Sequence, residues 1–520
     1  MASVPAVRMT GITKAYGATV ANDGVDFELI PGEIHVLLGE NGAGKTTLMG
    51  ILFGMVIPDA GEVRLGDEAV SFGSPQDALD RGIGMVHQHF MLVQDFTVAE
   101  NVVLGSVSPF DLMFRRAAIE GTVAEAAERF DMDIDVGARI RDLPIDTQQR
   151  VEILKLLYRG ARILILDEPT SSLGPAQIEA LFSGLKQLRD AGHSIVMVTH
   201  KLGEVMELAD RVTVLKAGRS ATTVGKGEFD ERSLARAMTG HDLPELPPPT
   251  GAEAGREPLL RVRDLVVHAG ARLHAVHGVS FDLHPGEILG VAGVEGNGQR
   301  ELLDALAGVS AIEAGNVEVG GRDMTGASPR RLREAGLSVI HEDRHGWGLV
   351  LDMSLADNLG LAEVATGAAS SHGFVRRRRL KARARELLEE YDVRPANPDA
   401  LALSLSGGNQ QKVVLARELA NEPSVLIAAN PASGLDVGAA DYVHRRLLDV
   451  SKEDRAVLLI SHDLDELLKL SDRILVLHRG RILYQAPIRE VSMDVLAMAM
   501  AGSAPSQGNG DGAAVGSEDM

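Results

Sequence analysis

Cysteine is absent from all 520 residues, which excludes disulfide scaffolds, thiolate catalysis and Cys-ligated zinc or iron–sulfur centres. A reducing compartment suits such a chain. Positive charge is short: 52 Lys and Arg face 73 Asp and Glu, a formal net charge of −21. A polyanion is therefore repelled by the chain as a whole, and nucleic acid is not an expected partner. Long apolar runs are missing too, with nothing approaching the ~18 consecutive residues that a spanning helix needs. The opening MASVPAVRMTGITKAYG has no basic stretch leading into an apolar one. No export signal or membrane span is expected, so work at a membrane must pass through other polypeptides. What is present is globular in composition, 45% hydrophobic and 24% charged. The 56 glycines exceed the ~7% of ordinary proteins and point to glycine loops with a purpose. At roughly 100 to 250 residues per domain, this length asks for at least two domains.

The chain carries an internal duplication. PGEIHVLLGENGAGKTTL from Pro31 returns as PGEILGVAGVEGNGQREL from Pro285, an offset of 254 residues. ADRVTVLKAGR from Ala209 returns as SDRILVLHRGR from Ser471, and His200 as His462, both at an offset of 262. Two similar domains follow, 1–240 and 259–502, able to pair about a pseudo-twofold axis, rather than a solenoid of short units. HDLPELPPPTGAEAGREP, residues 241–258, reads as a proline-rich extended linker. Residues 503–520 are small, polar and acidic and read as a disordered tail. In each copy short aliphatic runs, such as 34–38, 163–166 and 195–198, alternate with longer helical patterns, as buried strands with crossover helices do. The fold class is α/β. Helix-forming residues dominate 97–158 and 352–421, which predicts a helical subdomain inserted in each copy.

The chemistry concentrates in the first copy. Gly39, Glu40, Asn41, Gly42, Ala43, Gly44, Lys45 and Thr46 have the spacing of a phosphate loop between a strand and a helix that opens with Thr46 and Thr47. Glycines let successive backbone N–H groups curl around a β-phosphate, and the helix amino end adds partial positive charge. Lys45 reaches the β and γ oxygens, and the Thr46 hydroxyl ligates Mg²⁺. Residues 163–166 form an apolar strand ending in Asp167 and Glu168, where open parallel sheets bind ligands. Asp167 is expected to hold Mg²⁺ through its water shell, and Glu168 to polarise the water attacking the γ-phosphorus. The bland alternative is an acidic helix start. His200, after the strand at 195–198, is a candidate γ-phosphate sensor.

These residues resemble the ATP-binding subunit of an ABC transporter, of the kind with two nucleotide-binding domains fused in one chain, over about residues 5 to 500. The resemblance implies two tandem P-loop NTPase domains and ATP with Mg²⁺ as cofactors. It implies that Gln88, in MVHQHF, links Mg²⁺ and the attacking water to the helical subdomain, and that Tyr16 stacks on adenine. The family signature begins LSGG, matched here by Leu405, Ser406, Gly407 and Gly408, followed by Asn409. Leu405 is expected to start a helix aimed at a γ-phosphate held by the opposite domain. Asp436, in SGLD, stands beside this signature.

Departures fall unevenly. In the second copy Gln299 and Arg300 replace the lysine and the Mg²⁺ hydroxyl, Ala429 and Asn430 replace the carboxylates, and Glu342 replaces the glutamine. Asn430 cannot accept a proton. The first copy has LPIDT at 143–147 where the signature belongs, and Gly174 where Asp436 has its counterpart. If each site combines the phosphate loop of one copy with the signature of the other, one site keeps every part and the other collects nearly all the losses. One hydrolytic site per chain is expected, and His462 is read as a structural histidine.

The layout is similar to the fused ATPases of simple-sugar importers, while MVHQHFMLVQDFTVAENVVLG and HEDRHGWGLVLDMSLADNL look more like the nucleoside-import branch. The resemblance implies two separate membrane permeases, an extracytoplasmic binding protein and a place on the cytoplasmic face of the membrane. The rival is a soluble twin ATPase acting on the ribosome, a class that usually keeps both sites intact and uses a longer charged linker. The run from Arg376 to Arg379 with Lys381 reads as a solvated loop and helix start rather than a lipid head-group site, and Trp347 reads equally as a docking aromatic near a permease or as a partly buried loop residue.

Overall fold

A strand whose every side chain is apolar has no face to offer water, so it must lie inside a sheet covered on both sides. Three largely apolar strands of the first half are placed this way: the computed structural model buries every residue of Ile34–Gly39, Ile163–Asp167 and Ser194–Thr199, including the polar His35, Asp167, Ser194 and Thr199. The structure describes residues 4–502 apart from 18, 89, 107–115, 172, 243–245, 248–255, 269–275, 295, 368–369, 372–373, 453 and 501. The tail at 503–520 and most of the linker lie outside the described residues.

Two units are present, Met1–Pro244 with Asp436–Gly438, and Glu245–Leu435 with Ala439–Met520. Strands of the first unit are β1 (Val7–Tyr16), β2 (Thr19–Leu29), β3 (Ile34–Gly39), β4 (Ala60–Leu65), β5 (Glu68–Val70), β6 (Ile83–Val86), β7 (Ile163–Asp167), β8 (Ser194–Thr199), β9 (Arg211–Lys216) and β10 (Arg219–Gly225). The main sheet has the order β10-β9-β3-β8-β7-β6, parallel except for β10. A second, antiparallel sheet, β2-β1-β4-β5, was not anticipated from the sequence. Alternation along β3 divides the core. Leu37 packs toward the antiparallel sheet with Met9, Phe27, Leu48 and Val63, whereas Ile34, Val36 and Leu38 face the helices through Phe182, Leu185, Val205 and Met238. All four residues named on β3 are 0% exposed, so each contributes the ~1.5–3 kcal/mol of a fully buried aliphatic side chain.

The helical subdomain of this unit contains Val98–Val103, Arg116–Arg129 and Ile145–Tyr158, joined by Val98, Val102, Val123, Ala127, Val151 and Leu154. Thr97 and Glu100 cap the first helix reciprocally, each accepting the other's backbone N–H. Buried Asn101 bonds both N–H and C=O of Val93.

The second unit repeats the plan. Its six strands, taken in the same spatial order, are Arg481–Pro487, Arg473–His478, Ile288–Ala292, Ala456–Ile460, Val425–Ala429 and Leu337–Ile340. Its helical subdomain has Leu355–Thr366, Arg377–Glu390 and Gly407–Leu419, and Asn358 bonds Val350 as Asn101 bonds Val93. The signature helix begins at Gly407 with Ser406 as its N-cap, two residues later than expected, because Leu405 is still extended (φ −88, ψ 150).

Candidate functional site

Parallel register sets the site. Pairing of Leu38 with Thr199, Asp167 with Val198 and Val86 with Leu166 aligns the carboxyl ends of β3, β8, β7 and β6. The residues that follow these strands, the phosphate loop, Glu168, His200 and Gln88, therefore leave the sheet side by side, where open α/β sheets bind ligands.

The loop is held in a form that only glycine allows at two points. Gly42 and Gly44 have φ 81° and 97°. A Cβ at Gly39 would lie 2.4 Å from the Leu215 carbonyl oxygen. The helix Lys45–Leu52 begins directly at Gly44 with no side chain capping its first turn, so its leading N–H groups are open to an anion. Asn41 and Gly42 are exposed, Ala43 is buried, and Thr47 is half-buried. Lys45 is buried, and its ammonium donates to the carbonyls of Gly39 at 2.7 Å and Glu40 at 3.0 Å. Burial lowers its pKa, opposed by the charges of Glu168 and Asp167, and burial raises that of Glu40.

Asp167 ends β7 and is buried, which pushes its pKa up, helped by the neighbouring charge of Glu168 and opposed by a hydrogen bond with Thr46. Glu168 is one residue past the strand in left-handed conformation, φ 47°, uncommon for a non-glycine residue. Its N–H donates to the Val198 carbonyl at 3.0 Å, so it is not the start of a helix. One carboxylate oxygen accepts from Gln88 Nε2 at 3.0 Å and the other lies 3.0 Å from His200 Nδ1. The His200 bond, outweighing burial, holds the Glu168 carboxyl below its ordinary 4.5. Lys45, Thr46, Asp167, Glu168, His200 and Gln88 thus form one cluster: an anion cradle, a hydroxyl–carboxylate pair suited to a hard cation, and an ionised carboxylate able to orient water and take its proton.

Tyr16 ends β1 half exposed, with the Lys14 ammonium 5.7 Å from its ring centroid. Ser406, Gly407, Gly408 and Asn409 belong to the second unit and Asp436 to the first. Ser406 accepts from Asn409 Nδ2 at 3.1 Å, and Asn409 Oδ1 accepts from the Arg394 N–H at 2.8 Å.

The second unit keeps the scaffold and lacks the charge. Gln299 is buried and donates to the Val294 carbonyl at 3.2 Å, matching the Lys45 bond to Glu40. Asn430 repeats the left-handed turn at φ 42°, donates to Glu342 at 3.0 Å and accepts from the His462 N–H at 3.0 Å. His462 Nδ1 lies 3.3 Å from the Gly293 carbonyl oxygen, within the degenerate loop. In the first unit the helix Ile145–Tyr158 has Pro144 as its N-cap, and Asp146 accepts from Gln177 at 3.1 Å and lies 3.5 Å from Arg150.

Sequence reasoning missed Glu204. It is buried and accepts from the hydroxyls of Thr199, at 2.7 Å, and Thr170, fixing the segments on either side of Glu168 and His200. Its signal was available: Glu466 recurs at the 262 offset and accepts from Ser461 at 2.5 Å.

A family model described as ABC transporter matches residues 22–171 and again 276–433. The chain belongs to the ABC transporter family. It is an ABC-type ATPase with two ABC domains. The nucleoside import ATP-binding protein NupA of Lactococcus lactis subsp. cremoris is 44% identical over 482 residues, 93% of this chain and 95% of that protein. The glucose import ATP-binding protein TsgD13 of Haloferax volcanii is 41% identical over 532 residues, 96% of each chain. Among solved structures, the archaeal ribosome recycling factor aABCE1, in complex with the ribosomal stalk protein aP1, superposes with a TM-score of 0.63 over 94% of this ABC transporter chain and 92% of that one. At 21% identity this likeness speaks for the fold alone.

Proposed function

We propose that this chain is the ATP-hydrolysing subunit of an importer for nucleosides, with a single hydrolytic site built on the first domain. The observation that carries the hydrolytic site is the Glu168 carboxylate held between His200 and Gln88, beside Lys45 and the Thr46–Asp167 pair. Lys45 exchanges the Gly39 and Glu40 carbonyls for β- and γ-phosphate oxygens, and the open helix amino end receives the β-phosphate. Mg²⁺, when bound with ATP, neutralises charge on the phosphate oxygens; the Thr46 hydroxyl, the Asp167 carboxylate and Gln88 are the groups to hold it or its water shell. Glu168 accepts the proton of the attacking water, Gln88 orients that water, His200 keeps the carboxylate charged, and Tyr16 offers its exposed ring to adenine. On the family pattern, Ser406, Gly407, Gly408, Asn409 and Asp436 are further nucleotide-binding residues.

Among the described residues no helix is long and apolar enough to cross a membrane. Import therefore needs separate permeases, two on the family pattern, with the chain at their cytoplasmic face and an extracytoplasmic binding protein delivering solute. The nucleoside assignment rests on the relative at 44% identity, with the glucose importer's subunit at 41% as a rival. The ribosome-bound reading has fold likeness only. Right-side-out vesicles carrying the chain and its permeases, loaded with ATP, are expected to accumulate labelled uridine or guanosine; accumulation of glucose or ribose instead overturns the solute assignment.

The depressed pKa of Glu168 gives this site a signature in pH. A group lowered by its partner is ionised above its folded pKa and loses that form as pH falls through it. The contribution of Glu168 to the acid limb of turnover is therefore expected to lie below that of an ordinary glutamate. His200→Ala removes the main cause and shifts that limb upward, besides lowering kcat. A limb that stays in place in kcat measured across pH contradicts this account of His200.

A further inference from the structure

Residues 341–348 follow the edge strand Leu337–Ile340 and close into a π-turn, Arg344–Gly348, a form frequent at functional positions. Asp343 caps it, accepting from the N–H groups of His345 at 3.1 Å and Gly346 at 2.8 Å. The turn aims half-buried Arg344 inward, and all three guanidinium nitrogens find acceptors on other segments of the same unit. Nε donates to Gln411 Oε1 at 3.1 Å, one terminal nitrogen to the Gly407 carbonyl at 2.9 Å, and the other to the Ser433 carbonyl at 3.0 Å. Gly407 and Gln411 lie in the first turns of the signature helix, and Ser433 lies in the loop that follows Asn430.

Two further observations tie this fork to the signature itself. A Cβ at Gly407 would lie 2.9 Å from the terminal nitrogen, so the first glycine of the signature leaves the space the guanidinium fills. The position matching Arg344 at the 254 offset is Phe90, in the half whose signature has degenerated to LPIDT. The arginine accompanies the intact signature and is replaced beside the degenerate one.

We infer that Arg344 is a positioning residue for ATP turnover, a planar fork that fixes the amino end of the helix Gly407–Leu419, and with it Ser406–Asn409, against the α/β core of its own unit. The inference rests on the proposed reading in which that segment takes part in ATP hydrolysis. Charge-assisted bonds to two carbonyls and an amide oxygen need the guanidinium geometry, which lysine cannot reproduce.

The test compares Arg344→Ala, Arg344→Lys, Ser406→Ala and the Arg344→Ala/Ser406→Ala double variant in the full-length chain, measuring kcat, KM for ATP and Kd for ADP. Misplacing a contact by about 1 Å can reduce turnover by as much as ~10²-fold, so kcat is expected to fall roughly 10- to 100-fold in Arg344→Ala. The Kd for ADP, held by the Lys45 loop, should stay within about twofold, a split that general loosening of the fold would not produce. Lysine should not rescue, and the double variant should be little worse than Ser406→Ala because both changes disable one element. Wild-type kcat in Arg344→Ala, full rescue by lysine, or independent multiplication of the two effects overturns the inference. If Arg344→Ala does not fold, Arg344→Lys decides alone: reduced kcat supports the role and wild-type kcat ends it. Glu168→Gln, run alongside, separates the two levels. Its loss of turnover with a wild-type Arg344→Ala defeats only this inference, whereas retained turnover in Glu168→Gln defeats the site reading on which the inference rests.

Discussion

Glu168→Gln is expected to reduce ATP turnover by at least ~10²-fold, the scale of losing a positioned general base, while ATP binding is retained. The glutamine side chain has nearly the same volume, and its carbonyl oxygen can still accept from Gln88 or His200, so the turn at φ 47° and the register of β7 need not change. What disappears is the negative charge and the site for the proton. The matching change in the second unit is the control. Asn430→Ala leaves kcat near wild type because no proton acceptor is lost. It should nevertheless lower the melting temperature, since alanine at φ 42° costs roughly 1–2 kcal/mol and the bonds to Glu342 and the His462 N–H are removed. Turnover kinetics beside thermal melts of both variants separate the two halves. Equal loss of kcat in Asn430→Ala would falsify the single-site assignment.

That asymmetry could be read in the sequence because phosphate chemistry fixes residue types at fixed spacing. Lys45, Thr46, Asp167 and Glu168 were each found from local patterns, and the structure brings them together through the parallel register of β3, β7 and β8. Those strands were visible because buried parallel strands are continuous apolar runs. The antiparallel sheet was not. Its strand β1 shifts register between Met9 and Ile12 and again between Ile12 and Lys14, and it carries Gly11 in left-handed conformation, so its period-two pattern never runs long enough to register. Side chains that act on other segments were equally hidden. Arg344 meets Gly407 63 residues away, and nothing local distinguishes it from the many exposed arginines of an acidic protein. The same holds for the start of the signature helix. An extended Leu405 followed by a serine N-cap is a backbone decision that LSGG, read as a string, does not display.

The glycines of the phosphate loop offer the second large effect, because they are not equivalent. Gly42 has φ 81° but nothing within 4 Å of where its Cβ would stand, so Gly42→Ala carries only backbone strain, about 1–2 kcal/mol. Gly44 has φ 97°, and its Cβ would lie 2.2 Å from the Ala21 carbonyl oxygen and 2.6 Å from Asn22 Nδ2. The obstacle is strand β2, which cannot retreat, since Asn22 is fully buried and donates to the Gly44 carbonyl at 3.2 Å. The Gly218 N–H, donating to the Ala43 carbonyl at 3.2 Å, pins the loop on its other side. Relief of the clash must therefore move the loop, and Lys45 and Thr46 follow directly in the chain, so the same displacement takes the ammonium and the hydroxyl out of register with Asp167 and Glu168. Strain of this order combined with two misplaced phosphate contacts corresponds to a loss of at least ~10²-fold in ATP affinity for Gly44→Ala, at 1.4 kcal/mol per tenfold, against about tenfold for Gly42→Ala. Equilibrium binding of a fluorescent ATP analogue to the full chain measures both. Near-wild-type affinity in Gly44→Ala would mean that the loop rearranges on binding and that its geometry in this structure does not define the nucleotide-bound form.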